Sequence, residues 1–110
     1  MPGTFLAEFE LYVTLAIARL GDGAYGGAIR DEIESRTGRP VSIGALYTTL
    51  ARLEEKGLVY SKPTKPEPGH RGRPRKYCTL SLDGEAALEH SLAMLNRMSD
   101  GLAFGTEGGS

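Results

Sequence analysis

The sequence predicts a mainly α-helical fold with one small two-stranded β-hairpin, and three observations support this prediction. Apolar residues recur at helical spacing in four separate stretches. Glycine or proline interrupts the chain between these stretches, at Gly21, Gly38, Pro40 and Gly57. Two short apolar runs after Gly57 flank a loop with four prolines, through which no regular strand ladder can continue. The length of 110 residues is that of a single domain.

The first predicted helix covers residues 4–20, and the Gly-Asp-Gly sequence after it ends it. One of its faces carries apolar residues at 3.6-residue spacing, namely Phe5, Phe9, Tyr12, Val13, Ala16 and Leu20. Leu11 and Leu15 lie on a different side of the same helix. Because a helix that is apolar on two sides is usually buried on two sides, we expect the second side to need additional cover.

The next two predicted helices are short and lie on either side of a tight turn. The second covers residues 24–36, and Gly38 and Pro40 end it. The third covers residues 43–56, because Ser42 is a suitable N-cap. The predicted core-facing residues are Tyr25, Ile29 and Ile33 on the second helix and Ile43, Leu46, Leu50 and Leu53 on the third. This pair of helices indicates a helix-turn-helix.

The rest of the chain predicts a hairpin and a final helix. Short strands are expected at residues 58–60 and 76–80, with the proline-rich loop between them. The final helix begins near Ser81, a second N-cap candidate, and continues to about residue 102. Three helices followed by a two-stranded hairpin are the winged form of the helix-turn-helix.

The charges are segregated along the chain, although the net charge is only −1. Residues 36–77 carry ten basic and three acidic residues, whereas residues 1–35 and 78–110 each have a net charge of −4. A basic segment of this kind is typical of a surface that binds a polyanion, most often nucleic acid. An ordinary solvated surface is the alternative interpretation.

The third helix is the first candidate for DNA contact. Small residues in its first turn allow close approach to base edges in the major groove, and Thr48 and Arg52 can donate hydrogen bonds there. Tyr47 and Thr49 lie at the border of this face, where a hydroxyl can reach a phosphate. The predicted contacts are Ser42, Gly44, Ala45, Tyr47, Thr48, Thr49 and Arg52. An ordinary surface helix with one arginine remains the alternative.

The hairpin loop is the second candidate. Residues 62–76 contain six lysines or arginines and one acid, Glu67. Such cations displace counterions from phosphates, so binding should weaken steeply with salt. The sequence Arg-Gly-Arg-Pro at 71–74 resembles an AT-hook, which lies in the minor groove; contact with phosphates alone is the alternative. The predicted contacts are Lys65, Arg71, Arg73, Arg75 and Lys76.

The final helix carries a predicted dimer contact. Leu88, Leu92, Leu95, Ser99 and Leu102 follow the alternating spacing of a coiled-coil seam, and Met98 flanks it. Because the three helices and the hairpin already supply a core, we expect a second copy to cover this seam with its Leu11 and Leu15. The predicted dimerisation residues are Leu11, Leu15, Leu88, Leu92, Leu95, Met98 and Leu102. A seam that caps its own chain's core is the alternative.

No pattern typical of an enzyme, metal site or cofactor site stands out. A single cysteine, Cys78, excludes an intrachain disulfide and suits packing, and His70 and His90 lack metal-site spacing and are expected to be solvated. No apolar run approaches the ~18 residues of a membrane span, and the N-terminus does not have the pattern of a signal peptide. The sequence therefore predicts a cytoplasmic protein that is not an enzyme and needs no cofactor.

Several motifs together resemble the PadR family of bacterial transcriptional regulators. They cover Tyr25-Gly26, Ile29, residues 32–34, residues 42–47, residues 49–59, residues 72–77, Leu80-Ser81 and Gly84. The chain departs from the family pattern at Thr48, where proline is frequent, and at Gly27, where tyrosine is frequent. The resemblance implies a winged-helix repressor that dimerises through its first and last helices. In some members an apolar small molecule binds between the subunits.

The function expected from all of these features is a sequence-specific DNA-binding regulator, a repressor that acts as a homodimer on a palindromic operator. Residues 1–81 form the expected DNA-binding domain, residues 82–104 the dimerisation helix and residues 105–110 a disordered tail. An apolar effector at the dimer interface is a further expected partner, and the residues that suit it are Phe5, Phe9, Tyr12, Met94 and Met98. The alternatives are a protein-interaction module without sequence-specific DNA reading, and non-specific DNA or RNA binding through the loop.

Overall fold

The computed structural model describes residues 5–63 and 75–103 and confirms the predicted fold class. Its helices are α1 (Glu8–Leu20), α2 (Gly26–Thr37), α3 (Ile43–Glu55) and α4 (Leu82–Ser99), and its strands are β1 (Val59–Pro63) and β2 (Lys76–Leu80). A short 3₁₀ turn, Gly21–Gly23, follows α1. The expectations for Lys65, Arg71, Arg73, His70 and the tail at 105–110 lie outside the described residues.

Helix α1 begins four residues later than predicted, because its N-terminus is satisfied from within the helix. The carboxylate of Glu10 accepts a hydrogen bond from the backbone N–H of Ala7 at 3.0 Å, which fixes the start. Polar residues also enter the core-facing side: Thr14 is buried and donates to the Glu10 carbonyl at 2.8 Å. Phe5 precedes the helix and is exposed, so its assignment to the predicted apolar face of the first helix is wrong. The residues of α1 that line the core are Glu10, Val13, Thr14, Ala16 and Ile17.

Helices α2 and α3 form the predicted helix-turn-helix. Gly38 ends α2 in the left-handed region, with a φ of 75°, and its N–H donates to the Glu34 carbonyl. The Ser42 hydroxyl accepts a hydrogen bond from the Ala45 N–H at 3.0 Å, as expected of an N-cap. Leu46, Leu50 and Leu53 are buried, as predicted.

Two residues of α3 differ from the prediction. Ile43 is 44% exposed, and Thr49 is only 8% exposed. Each residue rotates an α-helix by about 100°, so Thr49 and Ile43 lie on opposite edges of the stripe formed by Leu46, Leu50 and Leu53. The domain covers the edge that carries Thr49 and leaves the edge that carries Ile43 exposed.

The hairpin is attached to the start of α2. Strands β1 and β2 pair antiparallel, with Val59 opposite Leu80 and Pro63 opposite Lys76, so β1 extends further than predicted. The Cys78 N–H donates to the Ala24 carbonyl at 2.7 Å, next to an isolated bridge between Tyr25 and Tyr77. These bonds fix the base of the hairpin relative to the helix-turn-helix.

Helix α4 packs on the domain from its start as far as Leu92. Its N-cap, Ser81, accepts a hydrogen bond from the Gly84 N–H at 3.0 Å and donates to the Gly57 carbonyl at 2.6 Å. Leu88 is buried in the core, and the buried Ser91 accepts a hydrogen bond from the Leu6 N–H at 3.1 Å. Further along, Leu95 and Met98 are exposed, and the helix ends at Ser99, before the predicted end near residue 102, because Asp100 has an extended backbone.

Candidate nucleic-acid interface

The exposed side of α3 carries most of the residues that the sequence predicts to contact DNA. Gly44, Ala45, Tyr47, Thr48 and Arg52 are all exposed. A glycine, an alanine and a threonine in the first two turns leave little side-chain bulk between the helix backbone and a ligand. This side therefore has the shape that a helix needs in order to approach base edges closely.

The other two predicted residues of α3 are engaged within the protein. The Ser42 oxygen accepts the capping hydrogen bond from Ala45. Thr49 is buried, so the expectation that its hydroxyl reaches a phosphate loses its support. The face that remains is defined by Gly44, Thr48 and Arg52.

Tyr47 lies where α3 meets the start of α2. A Cβ atom added to Gly26 would lie 2.5 Å from the Tyr47 hydroxyl oxygen, so the tyrosine ring covers the backbone of that glycine. Tyr47 nevertheless remains 55% exposed. The structure thus places Tyr47 at the border of the exposed side of α3, where the sequence predicts it.

The first residues of β2 bring basic side chains next to the helix-turn-helix. The guanidinium carbon of Arg75 lies 4.2 Å from the centroid of the Tyr25 ring, which is cation–π geometry. The rings of Tyr25 and Tyr77 meet edge to face, with their centroids 5.7 Å apart. Lys76 is exposed on the same strand. Sequence reasoning assigned Tyr25 to the core and gave Tyr77 no role.

A groove of about 460 Å³ lies between α3 and the hairpin, so these two elements are neighbours. Residues from α3, β1 and β2 line it, among them Tyr47, Glu54, Ser61 and Lys76. The Glu54 carboxylate accepts a hydrogen bond from the Ser61 hydroxyl at 2.9 Å. The side of α3 that carries Tyr47, Ala51 and Glu54 therefore faces the base of the hairpin across this groove.

Cys78 lies at the inner end of this groove and is buried. Burial, and secondarily the negative charge of Glu54, raise the pKa of the Cys78 thiol. The thiol therefore stays protonated near neutral pH and is a poor nucleophile. This agrees with the expectation that Cys78 serves packing.

Ion pairing separates the basic residues of this surface from those elsewhere. Arg19, Arg30, Arg36, Arg39 and Lys56 each lie within 4.0 Å of a carboxylate. Among residues 5–63 and 75–103, Arg52 on α3, Lys62 on β1 and Lys76 on β2 take part in no ion pair. Among these residues, Lys62, Lys76 and Arg97 on α4 thus have no carboxylate at ion-pair distance, and Arg52 acts on a carboxylate only from further away, where its charge helps to lower the pKa of Glu10.

The predicted dimerisation residues fall into two groups. Leu88 lies in the core of its own chain, and Leu11, Leu15 and Leu92 are partly buried against that core. Leu95, Met98 and Leu102 are exposed by 54%, 80% and 42%. The alternative of a seam that caps its own core thus describes α4 as far as Leu92, whereas Leu95, Met98 and Leu102, the last of them beyond the end of the helix at Ser99, present an uncovered apolar surface.

The residues that suit an effector do not form one group either. Phe5 and Met98 are exposed, whereas Phe9, Tyr12 and Met94 are partly buried. The Phe5 ring lies 5.0 Å from the ring of His90, which is itself partly buried, so the expectation that His90 is exposed is wrong. Within the part of the chain that is described, no group of three His, Cys, Asp or Glu side chains is placed to hold a metal ion. No helix in these ranges has the length and apolar character of a membrane span.

Comparison with protein families and sequences gives two findings. Residues 15–90 match the model of the transcriptional regulator PadR-like family. The 37.1 kDa protein in transposon TN4556 of Streptomyces fradiae is 40% identical over 86 residues, which are 74% of this chain and 23% of that protein. The chain therefore spans less than a quarter of the length of this relative.

Solved structures with the same fold include several PadR-type regulators. A PadR family transcription regulator from a hypervirulent Clostridium difficile has a TM-score of 0.72 at 22% identity and matches 84% of this chain and 92% of its own. A PadR-like transcription factor from Bacteroides fragilis has a TM-score of 0.69 at 26% identity, over 83% and 82% of the two chains. A PadR family regulator from Eggerthella lenta has a TM-score of 0.65 at 28% identity, over 91% and 88%.

Proposed function

The chain belongs to the PadR-like family of transcriptional regulators, and from this premise we propose that it is a sequence-specific DNA-binding repressor. On this proposal it acts in the cytoplasm as a homodimer on a palindromic operator. The exposed side of α3 enters the major groove, and the hairpin holds the neighbouring phosphates or the minor groove.

The distribution of ion pairs is the observation that carries the proposal. Arg52 on α3 and Lys62 and Lys76 on the hairpin lie within 4.0 Å of no carboxylate among the described residues, whereas five other basic residues do. Lys76 also lines the groove between α3 and the hairpin. Unneutralised cations on one surface attract a polyanion and release its condensed counterions when it binds. A basic segment that only improved solubility would give no reason for this division.

Sequence discrimination is assigned to the exposed side of α3. Arginine is the side chain that most often makes specific contacts with guanine in the major groove. Arg52 is the one arginine on α3, and Thr48 precedes it by one helical turn. Gly44 and Ala45 allow the first turn to approach the bases.

The homodimer is proposed from the second half of α4. An exposed apolar surface formed by Leu95, Met98 and Leu102 is unfavourable in water and is typical of a protein contact. A two-fold assembly through this surface presents two copies of α3 to one DNA duplex. The expected operator then has two half-sites about one helical turn, roughly 34 Å, apart. An apolar effector between the subunits would meet Phe5 and Met98, the exposed members of the expected set.

Replacement of Arg52 by alanine tests the proposed function. Duplexes that the purified protein retains from random or genomic DNA supply the operator, and fluorescence anisotropy measures its affinity against a random duplex at two salt concentrations. We expect Arg52→Ala to lose about 1–3 kcal/mol of operator binding and part of the preference over random DNA. A uniform loss on both duplexes would mean that Arg52 contacts phosphate only.

Arg97→Ala is the matched control, because Arg97 also has no ion-pair partner among the described residues but lies on α4. Its removal changes the net charge equally and is expected to leave operator affinity unchanged. An equal loss in both variants would contradict the assignment of α3. A wild-type protein without DNA affinity at low salt would favour the protein-interaction module instead.

A further inference from the structure

We propose that Tyr25 is a positioning residue, which fixes the orientation of the hairpin's Arg75 relative to the recognition surface of α3. The proposal rests on the proposed function and adds to it a residue that need not contact DNA itself. Tyr25 lies at the junction of α2, β2 and the 3₁₀ turn, and its ring is the surface on which Arg75 rests.

The contact between the two side chains has the geometry of a cation over an aromatic face. The Arg75 guanidinium carbon is 4.2 Å from the centroid of the Tyr25 ring. Arg75 also reaches the Tyr77 hydroxyl, with 3.5 Å between its Nη1 atom and that oxygen. Arg75 is exposed. The two tyrosines therefore select one direction for a long side chain that otherwise has many rotamers.

Tyr25 is itself held in place through its backbone. Its N–H donates to the Gly23 carbonyl at 3.1 Å, and its carbonyl accepts from the Ile29 N–H at 2.8 Å, the first hydrogen bond of α2. An isolated bridge joins it to Tyr77 on β2, and the adjacent Ala24 carbonyl accepts from Cys78. The ring of Tyr25 is thus carried on a part of the chain that belongs to both the helix-turn-helix and the hairpin.

Two consecutive glycines leave the space that this arrangement requires. A Cβ atom on Gly27 would lie 3.1 Å from the Tyr25 ring, and a Cβ atom on Gly26 would lie 2.5 Å from the Tyr47 hydroxyl. The start of α2 therefore supports both the ring beneath Arg75 and the ring at the border of the α3 face. Through this pair of contacts, the spacing between the hairpin and α3 is set within the protein before DNA is bound.

The expected consequence concerns the entropy of binding. An arginine that is already oriented loses less side-chain freedom when it meets a phosphate than one that is free. Removal of the Tyr25 ring should remove the cation–π contact that orients Arg75 and weaken operator binding by about 2- to 10-fold, the range that corresponds to ordering one long side chain. Loss of the hydroxyl alone should have no effect, because Arg75 lies against the ring.

The experiment compares Tyr25→Leu, Tyr25→Phe, Arg75→Gln and the double variant Tyr25→Leu/Arg75→Gln in the full chain. Operator affinity is measured by fluorescence anisotropy, and circular dichroism and thermal unfolding check the fold of each variant. We expect Tyr25→Phe to match the wild type and Tyr25→Leu to bind more weakly. In the Arg75→Gln background Tyr25→Leu should cause no further loss, because the residue through which Tyr25 acts is already gone.

Three results would overturn the proposal: an unchanged affinity of Tyr25→Leu, an equal loss in Tyr25→Phe, or the same further loss in the Arg75→Gln background. If Tyr25→Leu does not fold, Arg75→Lys provides the test, because lysine keeps the charge but lacks the planar group that stacks on the ring. It should bind more weakly with an unchanged salt slope, and wild-type affinity of this variant would overturn the proposal. If the wild type itself shows no preference for an operator, the proposed function fails first and this inference with it.

Discussion

Helices α3 and α4 begin with the same local structure but expose different surfaces. Each has a serine N-cap, Ser42 or Ser81, whose hydroxyl oxygen accepts a hydrogen bond at 3.0 Å from a backbone N–H of the first turn. Beyond its buried stripe, α3 exposes small and polar residues with one arginine, whereas the second half of α4 exposes leucine and methionine. These caps therefore determine where each helix starts, while the exposed side determines what it can bind.

The first-turn glycines of the two helices show the same difference in environment. A Cβ atom added to Gly44 would have the Ser42 hydroxyl oxygen as its nearest neighbour, at 3.8 Å, which is an ordinary van der Waals distance. A Cβ atom on Gly84 would overlap the backbone carbonyl of Leu58. Gly44 is therefore compatible with alanine within the protein, whereas Gly84 permits the close approach of α4 to the junction of α3 and β1.

The largest expected effect is the loss of stability on Gly84→Ala. Because the obstacle is backbone rather than the end of a side chain, we expect a loss of roughly 3 kcal/mol or more, measured by urea unfolding. Gly44→Ala is the matched control. It should leave stability unchanged or raise it by up to about 1 kcal/mol, since alanine is the better helix former. Equal stability of the two variants would show that the glycines are equivalent.

The second prediction concerns the uncovered half of α4. Leu95→Glu combined with Met98→Glu should convert the proposed dimer to a folded monomer at micromolar concentration, because a charge placed in an apolar contact is desolvated without a partner. Light scattering gives the mass, and circular dichroism gives the helical content. Ala93→Glu, which adds one negative charge on the opposite side of the helix, should leave the dimer intact. A wild-type protein that is already monomeric would remove the dimer from the proposed function.

The two helices also bind, by different chemistry, to the chain around the start of α1: α3 to Glu10 within the helix and α4 to Leu6 just before it. At the end of α3, Lys56 donates a hydrogen bond to the Glu10 carboxylate at 2.8 Å. In α4, the hydroxyl of Ser91 accepts the Leu6 N–H at 3.1 Å. The first tie needs a charged carboxylate and the second does not, so pH should affect them differently.

The smallest expected effect is a pH dependence of stability that comes from Glu10. Burial raises the pKa of its carboxyl, but hydrogen bonds from Lys56 and Ala7 outweigh this and hold the pKa below its ordinary value of 4.5. The stabilisation is therefore complete above about that ordinary value and is lost as the pH falls through the lowered pKa of the folded state. Glu10→Gln should cost about 1–2 kcal/mol at neutral pH, by urea unfolding, and should approach the wild type in acid.

Ser91→Ala provides the contrast to Glu10→Gln. It should destabilise the protein by about 1–3 kcal/mol, because the Leu6 N–H is left without its partner. No group that titrates takes part in this bond, so its difference from the wild type should not change between pH 7 and pH 3. A difference that falls with pH as it does for Glu10→Gln would contradict this account of the two ties.

The sequence predicted those features that depend on neighbours in the chain. Serine caps, a left-handed glycine at position 38 and the prolines of the loop gave the order of elements and most of their ends. The start of α1 was missed, since its cap, Ala7, has no side-chain acceptor and Glu10 supplies one instead. The assignment of Ile43 as buried and of Thr49 as a contact failed because a stripe of leucines fixes the direction of a face only to within one neighbouring position.

The candidate surface was predicted in part. Arg52, Thr48 and Gly44 were placed correctly on the exposed side of α3, because helical periodicity determines which residues oppose a buried stripe. The roles of Tyr25 and Tyr77 were not found. Tyr25 occupies a regular position on the apolar stripe of α2, and only the pairing of β2 with the start of that helix brings Arg75 over its ring.

The amino-acid sequence alone determined the mainly helical class, the hairpin and the separation of charge, because these follow from covalent order and local backbone preference. Tertiary structure decided which half of the leucine stripe on α4 is covered, which cations keep a carboxylate partner, and why Gly84 differs from Gly44. Periodicity repeats along a helix without regard to what lies opposite it. Burial and ion pairing depend on residues that are distant in the chain, so they are settled only when the elements pack.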